Sequence, residues 1–503
     1  MAITERALNR TNLNFERVKH GTFGGMMNKE KLAKSFLSAN WGGIDQYMNQ
    51  LAAPLMKALA TSSISGFADG SNLVLQNLDS IMTSVLWTED QLVKQQFIQR
   101  VPSINPIYQW NRRNQYASNR GANAFAEGNI GPVGLGSWAR NTEPVRFFGV
   151  QRGTTVIANL AGALGGMFDN PIEEEEYDGT MQLLSSVEGA LTWGNSTITD
   201  GDGNDIFYDG MYRQLKAGYP TNIIDLHGKP MDFDVVSQIA ANYAKQYVTT
   251  SRDIAGFLTP DSLQTLQLMK TQSERNQNLN AQDGGFAAGT PIDGYRTPIG
   301  FIPFVQDVFL KPFQGGTAPL TAADSGSPAA PTTVTAVAAA PGTGQTSNWL
   351  SSDAATVYYT IASFNGNGES LGYTDATGVA MVAGDVANVT ITNVSGAWGY
   401  RIYRGLQPSG SDAQWIGEVA ASTLSTVTYT DDNSIMPGTD VAVFMNRNTQ
   451  NLVIAQMAPL LKLPLAIQNT TIPFGLLYLH TLAVKAPERQ FMVVNIGKTG
   501  YAS

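Results

Sequence analysis

The sequence predicts an α+β fold interrupted late in the chain by an all-β sandwich. Three observations carry this. A helical pattern opens at Pro171 with four consecutive glutamates, Glu173 to Glu176. Before it lies a long, Gly-rich, arginine-studded ribbon, Tyr116 to Asn159, with too little apolar content to hold itself. After Gly315 the composition shifts to Ala, Thr, Pro, Ser and Gly, alternation then dominates from Val357 to Thr430, and the earlier composition returns after Met445.

At 503 residues the chain has room for several domains and a sizeable core. Only 15% of it is charged, against ~25% in ordinary globular domains, and it holds 50 glycines. Few charges and many glycines suit irregular backbone and surface buried by partners. A net charge of −9 gives no basic field that would pull the protein onto nucleic acid. With no cysteine, disulfides and thiolate chemistry are excluded. No apolar h-region and no run of ~18 apolar residues is visible, so neither a secretory signal nor a membrane span is expected.

In order along the chain, residues 1–30 read as an exposed arm and 31–60 as helix. A second amphipathic pattern runs over 72–100. A cap at Thr88, with Glu89 and Asp90 in the first turn, predicts a third helix ending before Pro102. The ribbon then turns through Gly121, Gly128, Gly131, Gly134 and Gly136 and returns in strands at Val145 to Val150 and Thr154 to Ile157. Asn170 is the expected N-cap of the glutamate-rich helix, with Pro171 at its first position and the acids complementing its dipole. Leu184, Val187 and Leu191, with Leu183 and Ala190 beside them, form its stripe, and it ends near Gly194. Asp232 caps a helix with Val236, Ala240, Tyr243 and Tyr247 on one face. Ile254 to Leu258 is a strand, Thr259-Pro260 opens a helix through Leu268, Asn276 to Gly289 is a loop, and Ile299 to Leu310 is an apolar strand region. Within the insertion, Val357–Ile361, Val389–Ile391, Tyr400–Tyr403, Trp415–Val419 and Val427–Tyr429 read as short sandwich strands.

Two resemblances follow from these residues. Tyr358 to Phe364 with Gly366-Asn-Gly-Glu-Ser370, and Gly399-Tyr-Arg-Ile-Tyr-Arg404, resemble a fibronectin type III or Ig-like module. The rest of the chain resembles the HK97-type major capsid proteins of tailed bacteriophages, through an order of elements. Leu78-Asp-Ser-Ile-Met82 with Trp87-Thr-Glu-Asp90 is similar to N-terminal arm helices. Ala124-Phe-Ala-Glu-Gly128 and Arg146-Phe-Phe-Gly-Val150 are similar to the two sides of the extended E-loop. Pro171 to Asn195 resembles the spine helix of the P-domain. Phe233 to Tyr247, Gly256-Phe-Leu-Thr-Pro260 and Gly300-Phe-Ile-Pro-Phe304 resemble A-domain elements. Leu482 to Pro487 and Phe491 to Val494 resemble closing P-domain strands.

The resemblance implies an HK97-like fold with N-arm and helices over 1–110, E-loop hairpin over 111–165, and spine helix and following loop over 166–222. It places the A-domain over 223–315 and 445–480, the Ig-like insertion over 316–444, and the closing strands over 481–503. It implies a structural shell protein, not an enzyme, that forms hexamers and pentamers of an icosahedral head in the virion, assembled in the host cytoplasm. Scaffold, portal and decoration proteins are the implied partners. Double-stranded DNA is enclosed without sequence-specific binding, and no membrane or cofactor is implied. The alternatives from another class are a secreted carbohydrate-active enzyme or an adhesin carrying a fibronectin-like module.

The candidate contact residues are Arg112, Arg113, Arg120, Arg140, Arg146 and Arg152, with Glu127, Trp138 and the helix acids Glu173, Glu174, Glu175 and Glu176. Guanidinium groups pair carboxylates bidentately and stay charged, which suits a cationic loop lying on the acidic helix start of a neighbouring copy. The opposing reading is solvated surface charge worth under ~1 kcal/mol per pair. Trp41 and Trp110 are further anchor candidates, with ordinary core packing as the alternative for Trp110. No lysine lies between Tyr116 and Gly179, so a Lys–Asn cross-link from the loop itself, known in some shells of this fold, is disfavoured. Asp200 to Asp205 imitates a calcium loop but places Asp205 and Met211 where Gly and Glu are required. Gly497-Lys498-Thr499 imitates the end of a P-loop, but Met492 stands where the first glycine belongs. His20, His227 and His480 have no metal-ligand spacing.

Overall fold

A computed structural model describes residues 86–116, 125–130, 135–159, 171–269, 292–311, 317–467 and 469–498. The expectations for 1–85, for Gly121, Gly131 and Gly134 of the ribbon's tip, the Asn170 cap and the loop from Asn276 to Gly289 lie outside them. The described chain is mixed helix and strand, mostly strand. It falls into two compact units. In the smaller, Thr154–Glu174 with Asn469–Thr471, Val156 N donates to Thr470 O at 2.8 Å and Asn159 pairs with Thr154 Oγ1 at 2.9 Å. The larger contains Leu86–Gly153, Glu175–Gln468 and Ile472–Ser503.

The expected helix from Thr88 to Pro102 is broken up. A 3-10 turn spans Glu89–Gln91, a short helix α1 spans Val93–Phe97, and strand β1 spans Arg100–Pro102. Tertiary partners override the local pattern. The Glu188 carboxylate accepts from Lys94 N at 2.8 Å and Gln95 N at 3.3 Å, capping α1 from another element. The chain then pairs in parallel with Ile454–Gln456. Thr88 makes no side-chain cap bond.

Strands β2 (Ile107–Gln115) and β3 (Ser137–Pro144) form an antiparallel two-stranded ribbon. The sides of the hairpin are therefore not the pair expected. Arg146 to Val150 lies in β4 (Arg146–Thr155), which joins a different sheet. The expected strand at Thr154 to Ile157 stops at Thr155. Helix α2, Pro171–Trp193, begins at the proline as predicted, with Glu173 and Glu174 in its first turn. Met181, Leu183, Val187, Ala190 and Leu191 are buried along it, whereas Leu184 is only half-buried. Helix α3, Met211–Gly218, follows.

A six-stranded mixed sheet forms the main core, in the order β5-β21-β18-β6-β8-β7. Its members are β5 (Ile223–Asp225), β6 (Ile254–Leu258), β7 (Gly294–Thr297), β8 (Gly300–Gln306), β18 (Asp440–Asn446) and β21 (Phe491–Ile496). Helix α4, Phe233–Lys245, starts where Asp232 accepts from Phe233 N at 2.6 Å. Val236, Ile239, Ala240 and Tyr243 recur at helical spacing and pack on the sheet, where Tyr243 Oη donates to Phe444 O at 2.9 Å. Tyr247 does not join that face: it follows the helix at φ 62° and is 87% exposed. Strand β6 is buried on every residue, as expected of a central strand paired on both sides. Gly256 is required there, since a Cβ would lie 2.8 Å from the Phe444 ring. Thr259 accepts from Ser262 N at 3.3 Å and starts α5, Pro260–Leu268.

Between β8 and β18 the chain makes a long excursion. Strands β9 (Val334–Ala339), β14 (Val386–Thr392) and β17 (Thr426–Asp431) form one sheet. The other is built on β10 (Thr356–Asn365), β15 (Gly399–Gly405) and β16 (Gln414–Ala420), with short strands β11 (Gly368–Glu369), β12 (Tyr373–Thr374) and β13 (Val379–Ala380) added to β10. Alternate residues of both sheets, among them Tyr359, Ile361, Val389, Ile391, Tyr400 and Ile402, fill one shared core. Lys311 Nζ lies 3.9 Å from Asp440 Oδ1, so the excursion leaves and returns at neighbouring points. On return, β18 pairs with β6 from before the excursion and with β21 from after it.

The last element is a long hairpin of β19 (Leu452–Pro464) and β20 (Thr471–Val484), in a four-stranded sheet ordered β1-β19-β20-β4. Behind it His480, Tyr208, Phe148 and Tyr478 form a buried aromatic cluster, with the Tyr208 hydroxyl 3.0 Å from His480 Nε2. Burial and the nearby Arg100 charge push the His480 imidazole down to about 3.

Candidate assembly surface

The β2–β3 ribbon pairs Ile107 with Pro144 at its base and Gln115 with Ser137 at its outer end. No third strand joins it among the described residues. From Arg113 to Tyr116 every residue is exposed. An isolated two-stranded hairpin is marginal in water, and its unpaired edges are ready templates for another chain. Large apolar groups crowd this end in solvent: Tyr116 is 86% exposed, Trp138 71% and Leu135 70%. The Arg113 guanidinium sits 5.3 Å from the Tyr116 ring centroid and 5.7 Å from that of Trp138, which orders the cluster by cation–π contact.

The candidate charges divide into two groups. Several pair within the chain. Arg112, opposite Ala139 in the outer half of the ribbon, forms an ion pair with Glu488. Arg146 reaches Asp205 Oδ2 at 2.7 Å and Asp205 O at 3.2 Å. Arg152 reaches Glu175 at 3.2 Å and Gln182 Oε1 at 2.7 Å, and Lys462 pairs with Glu176. Such partly exposed pairs contribute about 0–1 kcal/mol each. The second group faces solvent: Arg113, Arg140 and Glu127, with Trp138, around the ribbon, and Glu174 at the start of α2; Glu173 is exposed as well but has an interaction within the chain. Arg140 makes one long bond, 3.5 Å, to Asn111 Oδ1. Arg120, like Trp41, lies outside the described residues. Trp110 is half-buried beside Tyr108 with ring centroids 5.9 Å apart.

Sequence reasoning missed three things here. The partners Glu488 and Lys462 stand hundreds of residues from their arginine and glutamate, so no local pattern links them. The outer half of β19 with the turn after it exposes Met457, Leu460, Leu461, Leu463, Leu465 and Ile467. The apolar run in 457–467 was the available signal for this patch, which is too concentrated to be incidental. A buried ion group was also invisible: Lys94 Nζ lies 3.2 Å from Asp307 Oδ2 and donates to Thr192 Oγ1 and Phe309 O at 3.0 Å each. Burial, opposed by Lys94 and reinforced by Asp307, raises the neighbouring Glu188 carboxyl to about 7. Burial and Asp209 raise Glu143, in β3, to about 7 as well.

The imitated motifs resolve into ordinary structure. Asp200 Oδ1 accepts from Asp202 N at 2.9 Å and Asn204 N at 2.8 Å, making a tight polar turn. No group of three metal-ligating side chains occurs among the described residues. Lys498 pairs with Asp261 at 3.0 Å.

No family model matches the chain. It is similar to the major capsid protein of Staphylococcus phage K, at 20% identity over 450 residues covering 85% of this chain and 91% of that protein. The major capsid proteins of Staphylococcus phages S25-3 and S25-4 match at the same identity and coverage. Among solved structures it overlays on the capsid of a native GTA particle, at 10% identity and TM-score 0.44 over 85% of this chain and 96% of that one. The capsid of Myoviridae phage XM1 overlays at 9% identity and TM-score 0.41 over 86% and 99%.

Proposed function

We propose that this chain is the major capsid protein of a tailed double-stranded-DNA phage, and that its work is assembly and not catalysis. The observation that carries this is the alignment with the staphylococcal phage capsid proteins along nearly their whole length. The surface described above supports it, because it is built for partners: an unsupported ribbon, an acidic helix start and an exposed apolar strand.

In this reading the fold is of the HK97 type. The β2–β3 ribbon is the E-loop, α2 the spine helix, and the β19–β20 sheet the P-domain wall. The six-stranded sheet with α4 is the A-domain, and the excursion is an inserted Ig-like domain that ends before Asp440 and not at 444, since β18 from Asp440 already belongs to that sheet. Hexamers and pentamers of the chain close an icosahedral head that encloses DNA without reading it, in the virion. The clasp between copies is narrower than the charge inventory suggested. Arg112, Arg146 and Arg152 have partners at home, so the free end of the ribbon, with Arg113, Arg140 and Trp138, is the part that reaches a neighbour. Glu174, exposed at the start of α2, is the acid that meets it. Sedimentation velocity on the purified protein tests the reading: it predicts particles far larger than the 54.0 kDa chain, and a strictly monomeric protein refutes it.

A further inference from the structure

We propose that the seam between helices α2 and α3 and the inserted sandwich is a carbohydrate-binding site that takes one or two pyranose units. The seam contains a half-open cavity of about 440 Å³. That volume falls within the ordinary range for small-ligand sites, ~300–1,000 Å³.

Its walls are aromatic on both sides. Trp193 and Tyr212 come from α2 and α3, and Trp415 and Tyr429 from β16 and β17. Trp193 holds the set together: its ring lies 5.2 Å from Tyr212 and 5.1 Å from Trp415, and its Nε1 donates to Leu310 O at 2.7 Å. Strands β16 and β17 are edge strands of the two opposed sheets, so the cavity sits at the open side of the sandwich. Strand β16 carries a register shift between Gly417 and Trp415. Such bulges re-aim side chains and are common beside binding sites.

The polar lining decides the ligand class. Cations Arg213 and Lys216 stand with acids Asp209, Glu418 and Asp432. Three acids against two cations disfavour a phosphate or other strong anion, and the charged lining disfavours a lipid tail. The acids are each partly engaged: Glu418 accepts from Arg401 Nε at 3.2 Å, Asp209 from Ser196 N at 3.0 Å, and Asp432 lies 3.9 Å from Lys216 Nζ. Arg213 is half-buried and makes no hydrogen bond or ion pair among the described residues. The cavity therefore offers flat apolar faces, a guanidinium with donors to spare and carboxylates with remaining acceptor capacity. A sugar ring matches all three, since its C–H faces lie on aromatic rings and its hydroxyls both donate and accept. Both halves of the site come from one chain, so binding does not depend on assembly.

The test uses the full-length protein and the methyl glycosides of glucose, galactose, N-acetylglucosamine and glucuronic acid. Saturation-transfer NMR and tryptophan fluorescence report binding. At least one probe is expected to bind saturably, and both Arg213→Gln and Tyr212→Ala are expected to weaken it by about tenfold or more, the loss of one charged hydrogen bond or one ring face. Unchanged melting temperatures of the variants exclude misfolding as the cause. Absence of saturable binding by every probe at tens of millimolar overturns the proposal. So does binding that persists unchanged in both variants. Shells that form normally but bind no sugar would end this proposal and leave the assembly reading intact.

Discussion

At the residue scale, the most consequential group is the buried trio Lys94, Asp307 and Glu188, all fully excluded from solvent. Removing one partner of a buried pair leaves an uncompensated charge, so Lys94→Met should destabilise the protein by roughly 3–5 kcal/mol in urea denaturation. Glu188 adds a pH signature. Its folded pKa of about 7 exceeds the ordinary 4.5, so the folded protein holds this proton where the unfolded chain has lost it. Its stabilising share is complete below pH 4.5 and is lost as pH rises through about 7, amounting to roughly 3 kcal/mol. His480 acts oppositely. Its pKa falls from 6.5 to about 3, so its share is complete above pH 6.5 and is lost as pH falls toward 3. In Glu188→Gln the alkaline-going loss should shrink to the share that Glu143, also raised to about 7, still contributes, and the His480 dependence should remain. Melting temperature against pH checks this: between pH 4.5 and 7 the variant should lose less stability with rising pH than the parent, by the share of one carboxyl, and its loss on acidification from pH 6.5 should persist.

At the element scale, the free end of the β2–β3 ribbon is expected to matter for association and not for folding. Arg113→Ala with Trp138→Ala should cut particle formation sharply while shifting the melting temperature little, because neither side chain is buried in the chain itself. Light scattering and calorimetry on the same sample separate the two effects. Elements whose signals are local were legible in the sequence. Asp232 before an apolar 3.6-residue period, Thr259-Pro260 as a helix start and the alternation around Val389 and Tyr400 each specify structure without help from afar. The helix expected after Thr88 failed because the start of α1 is set by Glu188 and its end by a parallel pairing with β19. Neither partner leaves a mark within a dozen residues. The hairpin sides were misplaced because β4 carries the β-rich residues Phe147, Phe148 and Val150 yet pairs in another sheet, whereas β3, which does pair with β2, is mostly polar and ends in a proline.

At the scale of the whole molecule, the excursion between β8 and β18 forms its own sheets, separate from the six-stranded sheet it leaves and rejoins. The excursion begins and ends near the Lys311–Asp440 pair, and the strands flanking it, β8 and β18, are both hydrogen-bonded to β6 between them. Replacing 317–436 by a short Gly-Ser linker should therefore leave the six-stranded sheet folded, as read by cooperative thermal unfolding with a smaller enthalpy. Loss of all cooperative unfolding would contradict this. The sandwich was legible because its alternation and its linker chemistry break with the host composition. Its seam with the host was not, since Trp193 and Trp415 meet across more than two hundred residues. The candidate contact surface was half legible: the arginines and the acids could be seen, but not which of them are already paired at home. The central claim is that this chain builds a shell, and electron microscopy of the purified protein after assembly tests it most directly. The account predicts closed particles or ordered sheets of six-fold and five-fold clusters; a field of dispersed single chains under every assembly condition would contradict it.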